Sequence, residues 1–207
     1  MNYYIDFDNT LYETAKLTQL MLKAIGDCIS KLKHMEAEIV IQDAKDNFNS
    51  TKDNIYTFAE QMADKYDADK ELTVQAVKDV VENGKEIVFE DAERFLIKLR
   101  EKGHKIFLLT FLPKTNQEYQ MQKVNGSGLA KYFDGIIMTT EYKFLLDIKY
   151  ENGIFIDDDP RDLNGLYANN PIKVIRMRKE NNKRSKIDLE NKDIEEYTTF
   201  DDIKIEV

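Results

Sequence analysis

Tyr3-Tyr4-Ile5-Asp6-Phe7-Asp8-Asn9-Thr10-Leu11 carries a short apolar strand signature straight into two acidic residues one position apart. In an extended chain alternate side chains share a face, so Asp6 and Asp8 are expected to project together where the strand gives way to a loop. Two carboxylates on one poorly solvated patch repel each other. Such a pair persists when one carboxyl is protonated or when a cation lies between them, and a divalent metal ion is the economical solution. Acidic residues at a single strand end are often only turn formers. Here the pattern recurs in the second half of the chain, where Ile154-Phe155-Ile156 leads into Asp157-Asp158-Asp159-Pro160-Arg161-Asp162 and the proline is placed to open a helix. Two such strand ends in one domain point to a common site.

Working outward, the sequence from Asp91 alternates helix and strand: a helix to Lys102, strand 105–110, helix 114–124, strand 135–140, a short helix from Lys143, strand 153–157, helix 160–168 and strand 172–177. Turn signals at Lys102-Gly103-His104 and Asn152-Gly153 separate them. This alternation predicts an α/β fold with a Rossmann-like, mostly parallel sheet covered on both faces. Ligands of such sheets bind beyond the carboxyl ends of the strands, where both acidic clusters fall. Residues from about 11 to 88 instead read as helical. Leu17, Leu20, Met21, Ala24, Ile25, Cys28, Ile29 and Leu32 form one apolar stripe, and three further helices are expected over 36–48, 51–66 and 69–81. The expected organisation is an α/β core, 1–12 with 88–207, interrupted by an all-helical cap, 13–87, inserted over the crevice. Met21, Phe58, Met62 and Tyr66 of that insertion read as core residues rather than substrate contacts. Asn125-Gly126-Ser127-Gly128 reads as a loop and lacks the longer glycine motif of a phosphate cradle.

The chain has 207 residues, of which 42% are hydrophobic and 33% charged, enough to bury roughly 70% of its unfolded surface in a real core. A net charge of −9 opposes general attraction to nucleic acid or anionic membranes. One local exception is the basic stretch 173–186, with Lys173, Arg176, Arg178, Lys179, Lys183, Arg184 and Lys186, which reads as a solvated strand end and loop balanced by the acidic segment 188–202. The single cysteine, Cys28, reads as a small buried hydrophobe. Neither His34 nor His104 has the setting of a metal ligand. The apolar run 106–112 is far too short to span a bilayer, and no secretory leader is recognisable, so a reduced, cytoplasmic protein is expected.

The strand ends supply an ordered set: Asp6 and Asp8, then Thr110 after Ile106-Phe107-Leu108-Leu109, then Lys143 beyond Ile136-Ile137-Met138-Thr139-Thr140, then Asp157 and Asp158. This order resembles the haloacid dehalogenase superfamily, whose phosphatases carry a DxD motif, a strand-terminal Thr or Ser, a lysine and a closing acidic pair. Asp6-Phe7-Asp8-Asn9-Thr10-Leu11-Tyr12 is the most specific stretch, close to the form seen in nucleotidase-like members. The resemblance spans the whole chain, including a helical cap after the first motif. It implies a Mg²⁺-dependent phosphatase of small phosphorylated metabolites, nucleoside monophosphates among them. Asp6 would be the nucleophile that forms an aspartyl-phosphate, and Asp8 the general acid and base. Asp6, the backbone carbonyl of Asp8, and Asp158 with Asp157 would hold the metal, while Thr110 and Lys143 would grip the phosphoryl oxygens. Dehalogenase members lack an acid at the place of Asp8, so phosphoryl chemistry is the branch implied.

Two alignments of the closing motif stay open. One makes Asp158 the metal ligand and Asp162 a supporting carboxylate, and the other uses Asp157 and Asp158 together. Lys149 rivals Lys143 for the lysine role. The other readings are a different phosphoryl-transfer member, such as a phosphomutase or phosphonate hydrolase, and a non-catalytic binding protein that uses the local basic patch. Substrate and oligomeric state are not encoded in these motifs.

Overall fold

The computed structural model describes residues 1–49, 52, 54–112, 117–148, 150, 153–169, 172–180 and 182–205. Along the chain run β1 (Asn2–Ile5), α1 (Thr14–Lys33), α2 (Ala37–Asn47), α3 (Ile55–Lys65), α4 (Lys70–Glu82), α5 (Glu90–Glu101), β2 (Lys105–Phe111), α6 (Gln117–Gly126), β3 (Gly135–Thr139), β4 (Gly153–Asp157), α7 (Pro160–Asn169), β5 (Lys173–Met177) and β6 (Glu195–Tyr197). The chain divides into two compact units, Met1–Ala15 with Lys85–Val207, and Lys16–Gly84.

In the first unit all six strands are parallel, in the order β3-β2-β1-β4-β5-β6. The chain winds outward through β2 and β3 on one side of β1 and through β4, β5 and β6 on the other. The point where the order reverses therefore lies between β1 and β4, the place where such sheets open a crevice at the strand carboxyl ends. Ile5 is in register with Leu108 and with Ile156, so the ends of β1 and β4 stand side by side. The central strands β1, β2 and β4 are largely apolar on both faces, as a doubly covered sheet requires. On one face Tyr3 meets Phe95 of α5 edge to face. On the other, Tyr4, Leu109, Phe155 and Val174 pack with Leu163 and Leu166 of α7.

Local chemistry sets the helix ends. Three acidic residues, Glu90, Asp91 and Glu93, open α5 and Lys98 and Arg100 close it, complementing the helix dipole. Pro160 begins α7, and Asp159 just before it accepts a hydrogen bond from Arg161 N at 3.0 Å.

The second unit is helical. Met21, Ile25 and Ile29 of α1, Val40 and Ala44 of α2, Phe58 and Met62 of α3, and Val77 and Val81 of α4 are buried. Asn54 and Asp69 cap α3 and α4 by accepting from Tyr56 N and Leu72 N. At Gly26 a methyl group would lie 2.9 Å from the Ile41 backbone, so this approach of α1 to α2 requires glycine.

Several sequence expectations shift. Strand β1 stops at Ile5, before the acidic pair. The short helix from Lys143 is a single 3-10 turn, Lys143–Leu145. Asn125 and Gly126, read as loop, finish α6, and the reversal falls at Gly128, whose φ of 72° suits glycine. Residue 114, the expected start of that helix, lies outside the described residues. Cys28 is half-buried, with Sγ 4.0 Å from the Thr73 hydroxyl. Strand β6, a Glu-Glu-Tyr segment on the sheet edge, has no apolar alternation to announce it. Among the described residues no helix is long and apolar enough to cross a membrane.

Candidate active site

Beyond Ile5 the backbone keeps its register for one more residue, since Asp6 N donates to Ile156 O at 2.9 Å. It then turns. The Phe7 carbonyl accepts from the N–H groups of Thr10, Leu11 and Tyr12, and Asn9 adopts a left-handed φ of 64°. The strand alternation expected to align Asp6 and Asp8 thus ends at Ile5, and the two carboxylates reach one cleft through a turn, each with its own partners.

Asp6 joins the end of β4. One carboxylate oxygen from each of Asp6, Asp157 and Asp158 lies within 4.8 Å of the others, and all three residues are buried. Lys143 is 2% exposed and places Nζ 2.5 Å from Asp6 Oδ1 and 2.6 Å from Asp157 Oδ2. Its 3-10 turn is held from both sides: Lys143 N donates to Asp162 Oδ1 at 2.7 Å, and the Tyr150 hydroxyl donates to the Lys143 carbonyl at 3.1 Å. Lys149, the rival lysine, lies outside the described residues.

Asp8 faces α6. Its Oδ1 accepts from the Thr14 hydroxyl at 2.8 Å and from Lys123 Nζ at 2.6 Å, and its Oδ2 accepts from Gln120 Nε2 at 2.8 Å. The same Gln120 amide donates to the Thr110 hydroxyl at 2.9 Å. Thr110, fully buried near the end of β2, thus reaches the same crevice from the other flank of β1. A cleft of about 310 Å³ is lined by Asp6, Asp8, Thr110, Lys143, Arg161 and Arg184, among others.

Sequence reading missed Gln120, Lys123, Asn182 and Arg184. Asn182 donates to Asp158 Oδ2, and Arg184 Nη1 lies 3.2 Å from Asp158 Oδ1. Arg184 also pairs with Asp159, as does Arg161. Arg184 belongs to the basic stretch read as solvated, and its neighbours are also occupied: Arg176 is buried against Glu196, and Lys179 against Asp91. Signal for Arg184 existed only as charge, and for Gln120 and Lys123 there was none.

The electrostatics separate the two motif aspartates. Burial, followed by the charges of Asp157 and Asp158, pushes the Asp6 carboxyl well above the usual range, against the pull of Lys143. Asp158 is raised to about 7 by burial and by Asp157, despite Arg184 and Asn182. Asp162 is raised to about 6, first by burial and then by Asp157. For Lys143 burial acts downward, but attraction to Asp157 and Asp6 prevails and holds the ammonium charged. Asp8 also pays for burial, yet Lys123, aided by hydrogen bonds from Lys123, Gln120 and Thr14, holds it below the usual carboxylate range. The Asp6/Asp157/Asp158 cluster therefore resists taking on its full negative charge without a further cation. Its donors are all carboxylate oxygens, the set a hard divalent cation such as Mg²⁺ accepts, so the residues fit a metal ion.

The comparisons with known proteins agree with this architecture. The family model of haloacid dehalogenase-like hydrolases matches residues 3–167. The chain belongs to this family and is a hydrolase of it. Among solved structures, a haloacid dehalogenase-like hydrolase from Burkholderia xenovorans LB400 superposes with a TM-score of 0.63 at 13% identity, covering 96% of this chain and 92% of its own. A HAD phosphatase from Thermococcus onnurineus gives 0.57 at 17% identity, with 96% and 94% covered. The HAD-hydrolase YfnB from Bacillus subtilis, bound to magnesium, gives 0.56 at 14%, with 97% and 95% covered. At these identities the likeness is one of fold. No curated protein sequence matches the chain.

Proposed function

We propose that this hydrolase is a Mg²⁺-dependent phosphatase of small phosphorylated metabolites, working through an aspartyl-phosphate on Asp6. The observation that carries the reading is the convergence of Asp6, Asp157 and Asp158 within 4.8 Å, with the Lys143 ammonium against Asp6. A phosphate monoester is a dianion that needs positive charge to enter such a site. A bound Mg²⁺, held by Asp6, Asp157 or Asp158 and the Asp8 carbonyl, would neutralise the phosphoryl oxygens and the developing charge.

This chain's residues then divide the work. The Asp6 carboxylate attacks phosphorus, and the bond from phosphorus to the leaving oxygen breaks as Asp8, which must first take up a proton against the pull of Lys123, delivers it to that oxygen. Lys143 and the Thr110 hydroxyl hold the phosphoryl oxygens. Water next attacks the aspartyl-phosphate, Asp8 takes its proton, and inorganic phosphate leaves with Asp6 restored. We assign substrate selection to the helical unit, Lys16–Gly84. The presence of Asp8 favours phosphoryl transfer over dehalogenation.

The first prediction follows: purified protein hydrolyses p-nitrophenyl phosphate with Mg²⁺, EDTA stops the reaction, and Asp6→Asn abolishes it. Equal rates for wild type and Asp6→Asn would remove Asp6 as nucleophile. A panel of phosphorylated metabolites, with nucleoside monophosphates included, would then rank substrates. Return of phosphate to a sugar acceptor rather than to water would replace the phosphatase by a mutase.

A further inference from the structure

The phosphatase reading leaves Lys123 and Gln120 without a task. Both lie on α6, both are 4% exposed, and they are spaced so that their side chains leave the same face of the helix. A buried ammonium is costly and is retained where a counter-charge meets it. For Lys123 that charge is Asp8, at 2.6 Å. The rings of Phe7 and Tyr119, 5.8 and 5.4 Å from Nζ, enclose it. Gln120 uses its amide to span Asp8 Oδ2 and the Thr110 hydroxyl. Asp8 itself sits past the end of β1 in a turn whose backbone is bridged to Tyr12, and the direction of its side chain is set by the groups its carboxylate meets.

We propose that Gln120 and Lys123 are positioning residues for Asp8: two side chains from one face of α6 grip opposite oxygens of its carboxylate and hold it toward the leaving-group oxygen of a bound phosphate ester. The proposal rests on the phosphatase reading and adds the device that aims its acid. Proton transfer requires the donor within hydrogen-bond reach of the leaving oxygen, and small displacements are expensive in rate. Because one Gln120 amide ties Asp8 to Thr110, the acid and the hydroxyl that would hold the phosphoryl group are set relative to each other by a single side chain.

The test uses Gln120→Met and Lys123→Met, with two esters whose leaving groups differ in their need for a proton. Nitrophenolate departs readily unprotonated, whereas phenolate depends more on an acid. In both variants kcat/KM for phenyl phosphate is expected to fall by about 10- to 100-fold, and for p-nitrophenyl phosphate by much less. The Mg²⁺-induced rise in Tm should remain, and Lys123→Arg should recover part of the loss that Lys123→Met causes. Equal losses on both esters would reduce the pair to a structural role, and unchanged kinetics would remove it altogether; either overturns the proposal. If Lys123→Met does not fold, Gln120→Met, which strands no charge, decides alone. Asp6→Asn separates the two levels: activity surviving there overturns the phosphatase reading, whereas an inactive Asp6→Asn beside an unchanged ester ratio in Gln120→Met overturns only the clamp.

Discussion

Asp158 occupies a setting that works against its own charge. Burial, then repulsion from Asp157, lifts its carboxyl to about 7, and Arg184 and Asn182 offset only part of this. The folded protein thus binds a proton there more tightly than the unfolded chain does. The resulting stabilisation is complete below the ordinary carboxylate range near ~4 and is lost as pH rises through about 7. Asp158→Asn removes the charge with little change of shape. In EDTA at about pH 8 the variant should therefore melt above wild type, and at about pH 5.5, where the wild-type carboxyl is itself protonated, the difference should close. Added Mg²⁺ should raise the Tm of wild type, with the logarithm of its concentration above Kd, and move the variant little. Thermal melts across these conditions provide the check. An Asp158→Asn protein that melts below wild type at the higher pH without metal would show that Arg184 and Asn182 fully compensate the carboxylate, and the cluster would need no further cation.

At the scale of elements, a single carboxylate ties the last third of the α/β unit to α5. Asp91 accepts from Lys179 Nζ at 3.0 and 2.8 Å, from the Thr199 hydroxyl at 2.7 Å and from Phe200 N at 2.7 Å. Lys179 follows β5 and Thr199 follows β6, so the connections after both strands are anchored at one point, where Phe200 also stacks on Phe95 at 4.8 Å. Burial would raise Asp91, but the bonds from Lys179, Thr199 and Phe200 N outweigh it and hold the carboxyl low. A depressed carboxyl contributes stability that is present above its unfolded value and is lost as pH falls through the folded one. Asp91→Ala leaves Lys179 buried without its counter-charge, so urea unfolding near neutral pH should show a loss of about 3–5 kcal/mol, narrowing in acid. A loss below about 1 kcal/mol would place the anchor elsewhere. None of this was legible in the sequence. Apolar runs announced β2 to β5 and helical stripes announced α1 to α5, because periodicity reports which face of an element is buried. It does not report which charged partner a basic residue meets. Lys173 to Lys186 accordingly looked solvated, although Arg176 is fully buried.

Across the whole molecule the same distinction governs the candidate site. Asp6, Thr110, Lys143, Asp157 and Asp158 were readable because parallel topology brings strand ends to one rim. Gln120 and Lys123 come from α6, and Asn182 and Arg184 from the start of a 3-10 helix after β5, elements whose inward residues only the assembled sheet selects. The topology also shows how the helical unit was accommodated. Glu13 N bonds Ile87 O at 2.9 Å, Phe89 N bonds Leu11 O at 3.0 Å, and Tyr12 bridges Val88 antiparallel. The chain leaving the α/β unit and the chain returning to it are therefore zipped together within that unit, which already holds the six strands and the cluster of Asp6, Asp157 and Asp158. Closing so short a gap costs little entropy. Replacing Lys16–Gly84 by a short Gly/Ser linker should leave a protein that unfolds cooperatively and gains Tm with Mg²⁺. It should retain measurable hydrolysis of p-nitrophenyl phosphate, with a flattened ranking across phosphorylated metabolites if the helical unit selects substrate. Circular dichroism melts with and without Mg²⁺ test the folding half, and the metabolite panel tests the selection half. A shortened chain that stays unfolded would mean that the α/β unit depends on the helices for its stability; one that folds but keeps the parent's substrate ranking would place selectivity in the sheet's own rim, with Arg161 and Arg184 as the first residues to vary.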